Sequence, residues 1–249
     1  SWFVDFDPVI DNAIEAGNPI PDKLAPRAEL RRQALANGTA NRQAAKAFPA
    51  AFQFTEEIGW IPEGWEQTTL SSLLEVKYGK DHKKLGDGDF PVYGSGGLMR
   101  HAESALYKGE SVLVPRKGTL SNILYLNQEF WTVDTMFYTI PKMRSVAKFC
   151  YYHLKGLDFT SMNVGSAVPS MTTKVLNALP MLKVTGQILD QFDELIGSYF
   201  RKSEQNDQES QNLAKLRDTL LPKIISGELN IPTGSTKPFS KMPKAAGSS

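Results

Sequence analysis

The stretch VLVPRKGTLSN, Val112 to Asn122, passes from apolar to basic and back to apolar. Val112, Leu113 and Val114 lead through Pro115 into Arg116, Lys117, Gly118 and Thr119, and Ile123 to Leu126 are apolar again. Bulky and β-branched runs broken by a short Gly-containing segment read as strand, turn, strand. The turn carries two adjacent cations. It is not a phosphate-cradling nucleotide loop, because that requires G-x-x-x-x-G-K-[ST] followed by a helix. Here Gly118 follows the Lys, and no helical pattern comes after it. Two readings remain: a solvated hairpin turn, or a contact to nucleic acid through Arg116 and Lys117.

The same texture extends outward on both sides. From about Trp65 to Leu182, short runs rich in Val, Ile, Tyr, Phe and Trp alternate with Gly, Asp, Asn and Pro; examples are FPVYGSGG and NILYLNQEFWTV. SVAKFCYYHLKGL, Ser145 to Leu157, reads instead as a helix, with Phe149, Tyr152, Leu154 and Leu157 roughly on one face. A mixed α+β domain is expected. Ahead of it, residues 9–59 hold a Pro-broken connector, GNPIPDKLAP, and an Ala-, Arg- and Gln-rich stretch, the composition of a solvated helix or a linker.

Beyond Thr185 the texture changes. Apolar residues recur at helical spacing, and one column repeats every seven residues: Phe192, Tyr199, Asn206, Leu213, Leu220. A patchier partner column holds Leu195, Lys202, Glu209, Leu216 and Lys223, and Ile196 is apolar beside it. The middle of this segment, RKSEQNDQESQN, is too polar for a buried helix. A long helix, roughly 57 Å at 1.5 Å per residue, forming a coiled coil is expected, with Asn206 able to fix its register. Pro222 and Gly227 are expected to stop it. The Ser-, Pro-, Lys- and Gly-rich tail that follows reads as disordered.

Composition limits the chemistry. The chain has 249 residues, 41% of them hydrophobic, which is enough for a sizeable core. Its single cysteine, Cys150, excludes an internal disulfide framework and a multi-cysteine metal site. No run approaches the ~18 apolar residues of a membrane span, and a reducing cytoplasm fits. The formal net charge is +1. Residues 60–183 hold fourteen Lys and Arg against eleven Asp and Glu, a mild surplus of three. The densest basic cluster, KYGKDHKK, sets Lys77, Lys80, Lys83 and Lys84 and His82 against Asp81. It is either a solvated turn or a surface that tracks phosphates. YGSGGLMRH offers a flexible turn, or a loop laid against a DNA backbone with Ser95 donating and Arg100 adding charge. Catalytic patterns are poor. The His residues lack H-E-x-x-H spacing, no G-x-S-x-G marks a nucleophile, and no D/N-P-P-Y/F methyltransferase motif occurs. Cys150 sits in an apolar helix and reads as a buried structural thiol, even with His153 near. No enzyme, no metal and no cofactor is expected.

Several stretches taken together resemble a known family. In order they are SWFVDFDPV, GWIPEGWEQTTL, FPVYGSGGL, VLVPRKGTLSN, WTVDTMFY, GSAVPSMTTKVLNALPM and LAKLRDTLLPKIISGEL. This ordered set resembles the specificity (S) subunit of type I restriction–modification enzymes, over residues 1–9 and about 56–230. The resemblance implies a non-catalytic protein whose recognition domain reads one half of a split double-stranded DNA target. It also implies methylation (M) subunits docked on long helices and, through them, a restriction (R) subunit. On this basis residues 1–59 are expected to be a remnant of a central helix plus linker, 60–184 the target-recognition domain, 185–227 the spacer helix and 228–249 a disordered tail. The chain reads as the second half of such a subunit, with Ser1 to Phe6 ending a helix begun earlier. The DNA reading of the turn is thereby favoured. The expected contacts are Lys80, His82, Lys83, Lys84, Ser95, Arg100, Arg116, Lys117 and Thr119, then Thr172 and Lys174, with Ser170 and Thr173 beside them. Phe192, Leu195, Ile196, Tyr199, Asn206, Leu213, Leu216 and Leu220 are expected to pair the helix with a second copy, antiparallel. The alternative is a scaffold that holds methylation subunits and binds DNA only weakly alone.

Overall fold

The structure, a computed structural model, describes residues 1–159, 161 and 170–228. The expected tail, 228–249, lies almost wholly outside the described residues, as does most of NVGSAV ahead of Pro169. The chain divides into two compact units, Ser1–Gly197 and Ser198–Ser249.

The first unit begins with a helical arm. α1 (Asp7–Ala16) carries a Pro in its first turn and ends at Gly17, whose φ of +69° suits a residue without Cβ. A short 3-10 turn leads into α2 (Ala25–Ala36), and α3 (Arg42–Ala45) follows. Val9, Ile10, Ala13, Ala28 and Ala45 are buried, and Arg27 and Arg31 of α2 form ion pairs with Asp7 and Asp11 of α1. Of the two readings of the Ala-, Arg- and Gln-rich stretch, solvated helix or linker, the helix is the one found, and it packs on α1. Ala-rich faces are weakly apolar in sequence, yet small side chains let helices approach closely. Ser1 to Phe6 form turns rather than the end of a helix, and the helix starts only at Asp7. Phe6 holds a left-handed φ of +56°, unusual for a bulky residue, and is buried against Phe52 and Trp65.

Two small antiparallel pairs follow: β1 (Phe52–Thr55) with β2 (Gly59–Pro62), and β3 (Glu66–Thr69) with β10 (Pro180–Lys183). After the single turn α4 (Leu70–Leu73) comes a six-stranded sheet. Its strands are β4 (Leu74–Tyr78), β5 (Phe90–Gly94), β6 (Gly97–Ala102), β7 (Tyr107–Pro115), β8 (Leu124–Thr132) and β9 (Met136–Pro141), in spatial order β4-β9-β7-β8-β5-β6. All pairs are antiparallel except β5 with β8. VLVP ends β7, and residues from Ser111 to Pro115 are buried throughout, which is why that run lacks alternation. Leu113, Phe130, Met136 and Tyr138 from β7, β8 and β9 pack as one cluster. Where β7 and β9 lose ladder bonds, hydroxyls replace them: Val112 N–H donates to Thr139 Oγ1 (2.9 Å) and Thr139 N–H to Ser111 Oγ (3.0 Å).

Helix α5 (Val146–Lys155) packs on β7 and β8 through Val146, Ala147, Phe149, Cys150 and Leu154. Tyr152, expected on that face, is 45% exposed. The short α6 (Thr173–Asn177) precedes β10, and α7 runs Gly186–Ile225. Its first turns belong to the first unit, where Ile188, Leu189 and Phe192 are buried. Phe192 meets Phe3 at 4.9 Å and Trp2 at 5.7 Å between ring centroids. Phe192, expected among the residues that pair the helix with a second copy, is instead buried within its own chain, because the aromatic N-terminal turn covers it. Leu195 and Ile196 line a cavity of about 340 Å³ with the same Trp2 and Phe3. Pro222 does not stop the helix, which continues to Ile225; Gly227, at φ +76°, follows as the turn. A proline removes one N–H but leaves the following turn able to form. The architecture is α+β: a mixed sheet domain followed by a long C-terminal helix.

Candidate nucleic-acid interface

The Arg116–Asn122 turn joins β7 to β8, and neighbouring segments hold it from several sides. Arg116 N–H donates to the Thr135 carbonyl (2.8 Å), and Met171 N–H donates to the Arg116 carbonyl (2.8 Å). Lys117 makes an isolated antiparallel bridge with Ser170. Asn122 Nδ2 donates to the Ser95 carbonyl (2.9 Å), tying this turn to the one between β5 and β6. Gly118 has a φ of +87°, and a Cβ there would come within 3.0 Å of Ser95 Oγ. A glycine is thus required both by its conformation and by close approach.

The lysine loop after β4 meets the same place. Gly79 N–H donates to the Met136 carbonyl, Lys80 N–H to the Thr132 carbonyl (2.8 Å), and Trp131 Nε1 to the Lys80 carbonyl (2.9 Å). Thus the ends of β4, β5, β7 and β8 and the start of α6 gather around Val133 to Met136. Lys80, Lys83, Lys84, Lys117, Gly118 and Thr119 are exposed there. Ser95 is half-buried, with its carbonyl already held by Asn122.

Two arginines of this region differ in their duties. Arg100 on β6 donates to His82 Nδ1 (3.3 Å), to the carbonyls of His82 (2.9 Å) and Leu85 (2.7 Å), and to Asp87 Oδ1 (3.0 Å). It clamps the lysine loop onto the sheet. Arg100 and His82, both expected at the DNA, are thus engaged with each other within the fold, and His82 lends its Nδ1 and carbonyl to the clamp. Among the described residues Arg116 makes one side-chain hydrogen bond, from NH1 to the Asp134 carbonyl (2.9 Å). Its Cζ lies 5.4 Å from the centroid of the Tyr78 ring. Tyr78 is 53% exposed. Its ring packs edgewise on Phe137 (5.1 Å), and its hydroxyl lies 3.4 Å from Thr173 Oγ1. Tyr78 and Asn122 are the residues that sequence reasoning passed over. Both stand inside quoted segments, but their partners are remote in the chain and only the fold brings them together.

Of the remaining expected contacts, Thr172 uses its hydroxyl to cap α6, accepting from Val175 N–H at 3.3 Å. Lys174 is exposed on the first turn of α6. Among the helix positions, Tyr199, Asn206, Leu213 and Leu216 are exposed and Leu220 is half-buried.

Cys150 is wholly buried, and burial pushes its thiol far up, so no thiolate nucleophile is at hand. His153 is held below its ordinary pKa by burial, partly countered by a hydrogen bond to the Pro180 carbonyl. Among the described residues, no cluster of three His, Cys, Asp or Glu side chains could hold a metal, and no helix is long and apolar enough to cross a membrane.

The comparisons with known proteins agree with this picture. Residues 62–198 match the family described as the type I restriction modification DNA specificity domain. The type I restriction enzyme HindI specificity subunit of Haemophilus influenzae is 23% identical over 273 residues, covering 92% of this chain and 60% of that protein. The MjaIX specificity subunit of Methanocaldococcus jannaschii is 21% identical over 216 residues, covering 72% and 48%. The chain therefore spans about half the length of these curated relatives. Its fold is similar to the crystal structure of a type I restriction–modification S subunit from M. genitalium, with a TM-score of 0.55 and 22% identity over 65% of this chain and 46% of that one. The family match embraces the sheet, the loops gathered at Val133 to Met136 and the start of α7, and the chain belongs to the type I restriction modification DNA specificity domain family.

Proposed function

We propose that this chain is a non-catalytic DNA-reading subunit that recognises one half of a split duplex target through the loops gathered around Val133 to Met136. One observation carries the reading. Lys80, Lys83, Lys84, Lys117, Lys174 and Arg116 stand on these converging loops, and among the described residues none of the six forms an ion pair. Cations left without carboxylates on loops that a rigid sheet holds suit a polyanion. The curated relatives are specificity subunits, which supports extending their role to this chain. The test is selection of bound sequences from a randomised duplex pool, with affinity measured over a salt series. Enrichment of a short half-site, with log affinity falling linearly in log salt, is expected. Binding without enrichment would reduce the surface to an electrostatic one.

A second reading concerns partners. In the second unit, Tyr199, Leu213, Leu216, Leu221, Ile224 and Ile225 expose large apolar side chains, the two isoleucines and Leu221 at the end of the helix. Such a stripe suits helix pairing. It supports docking of methylation subunits, and through them a restriction subunit, or antiparallel pairing with a second copy. Light scattering at tens of micromolar distinguishes the two. A dimer mass for the chain alone supports self-pairing, and a monomer that gains mass only with methylation subunits supports docking. A cytoplasmic setting follows from this role.

A further inference from the structure

We infer that Arg116 is a specificity-determining residue that reads a guanine, while Lys117 beside it contacts the phosphate backbone. This inference rests on the DNA reading above and assigns different tasks to the two adjacent cations. Arg116 is fixed at three levels. Its backbone N–H and carbonyl are both hydrogen-bonded, to Thr135 and Met171. One NH1 proton is given to the Asp134 carbonyl. The guanidinium lies over Tyr78, which is itself fixed by Phe137 and Thr173. Among the described residues the Nε and NH2 edge has no partner, and no carboxylate forms an ion pair with the guanidinium. A planar pair of donors held in place matches the paired acceptors O6 and N7 of guanine in the major groove. Holding the side chain before binding also lowers the entropy cost of a geometry-dependent contact. Lys117 differs in each respect. It is exposed, and among the described residues no side-chain hydrogen bond or ring contact constrains it. A mobile ammonium suits a phosphate, whose recognition needs charge more than geometry.

The phosphate alternative for Arg116 predicts different data, so one experiment separates them. The full 249-residue chain, with Arg116→Ala, Lys117→Ala and Tyr78→Leu variants, is put through selection from the random duplex pool and a salt series on the selected half-site. Arg116→Ala should abolish preference for one guanine, a change of roughly tenfold to a hundredfold in discrimination at that position. The rest of the half-site should persist. Lys117→Ala should leave the selected sequence unchanged and reduce the salt slope by about 0.9. Tyr78→Leu keeps the arginine but removes its support, and should weaken the same guanine preference severalfold. Thermal melting checks that each variant is folded; if Arg116→Ala is not, Tyr78→Leu carries the test. If Arg116→Ala weakens all sequences equally and lowers the salt slope by about one, the inference is overturned and Arg116 is a phosphate contact. If wild type enriches a half-site and Arg116→Ala selects the same one unchanged, the inference fails while the DNA reading stands. If wild type enriches nothing, both fail together.

Discussion

In the helical arm every arginine is matched to a carboxylate. Arg27 pairs with Asp7 (2.6 Å), Arg31 with Asp11 (2.6 Å), Arg32 with Glu29 (3.0 Å), and Arg42 with Glu15. In the loop cluster, Lys80, Lys83, Lys84, Arg116, Lys117 and Lys174 have no ion pair among the described residues. The two regions are alike in containing cations and opposite in what those cations do. In the arm, Arg27 and Arg31 are partners of the buried acids Asp7 and Asp11 and join α2 to α1, while Arg32 and Arg42 pair with the exposed Glu29 and Glu15. On the loops the cations are held in place by backbone contacts and left open. A cation count alone therefore says little about DNA binding; the location of the nearest carboxylate says more.

Four substitutions or titrations would sharpen or break this contrast. The largest effect is expected in the arm. Asp11 is 1% exposed, so Arg31→Ala strands a buried carboxylate and should lower the unfolding free energy by about 3 kcal/mol in a urea melt. Replacing Asp11 and Arg31 together by Leu and Met should recover much of that loss. Neither change should alter the selected DNA sequence, and an altered sequence would break the contrast.

Next is Gly118→Ala. The residue would meet both a left-handed φ and Ser95 Oγ, at a cost of about 1–2 kcal/mol. Because the turn must shift, affinity for the selected half-site should fall together with stability. Undiminished affinity would show that the turn does not need its present shape.

Smaller in stability but distinct in signature is the double variant Lys83→Ala and Lys84→Ala. Stability should change by less than about 0.5 kcal/mol. The slope of log affinity against log salt should fall by about 0.9 for each lysine that contacts phosphate. An unchanged slope would return the loop to a solvated role.

The smallest effect is on pH dependence. Burial alone would raise the Asp7 carboxyl, but the hydrogen bond and charge of Arg27, with Arg31 beside it, bring it below its ordinary value. The folded state thus prefers the charged form. That stability is complete above the unfolded pKa, about 4, and is lost as pH falls through the lower folded value. His153 acts in the same direction at higher pH: burial disfavours its charged form, so stability falls as pH drops below about 6.5 toward its folded value. A melting temperature that declines by a few degrees in two steps on acidification is expected. Asp7→Asn should flatten the lower step and His153→Gln the upper.

How much of this could be read from the residues varies by element. VLVPRKGTLSN gave its strand–turn–strand form because β-branched runs and a turn glycine are local signals. SVAKFCYYHLKGL gave a helix for the same reason, and the seven-residue column marked α7. The arm's helices are legible as helix-forming composition, but their packing on one another is not, because it comes from Ala contacts and from pairs such as Arg31 with Asp11, which no local pattern announces. Phe192 was assigned to an open face because its cover, Trp2 and Phe3, lies at the far end of the chain.

The sequence by itself determined the strand–turn–strand at Val112 to Asn122, the helix within Ser145 to Leu157 and the long C-terminal helix, and that two adjacent cations sit in a glycine turn, since these follow from short-range sterics and hydrophobic period. It also carried the ordered set of motifs that resembles the family, which the match over residues 62–198 bears out. Only the tertiary structure decided which cations are committed. Arg100 and Arg116 look equivalent in a string of letters. One is engaged by His82, Leu85 and Asp87, and the other stands over Tyr78 with its Nε and NH2 donors unpartnered among the described residues, because strand order, not sequence distance, sets each one's neighbours.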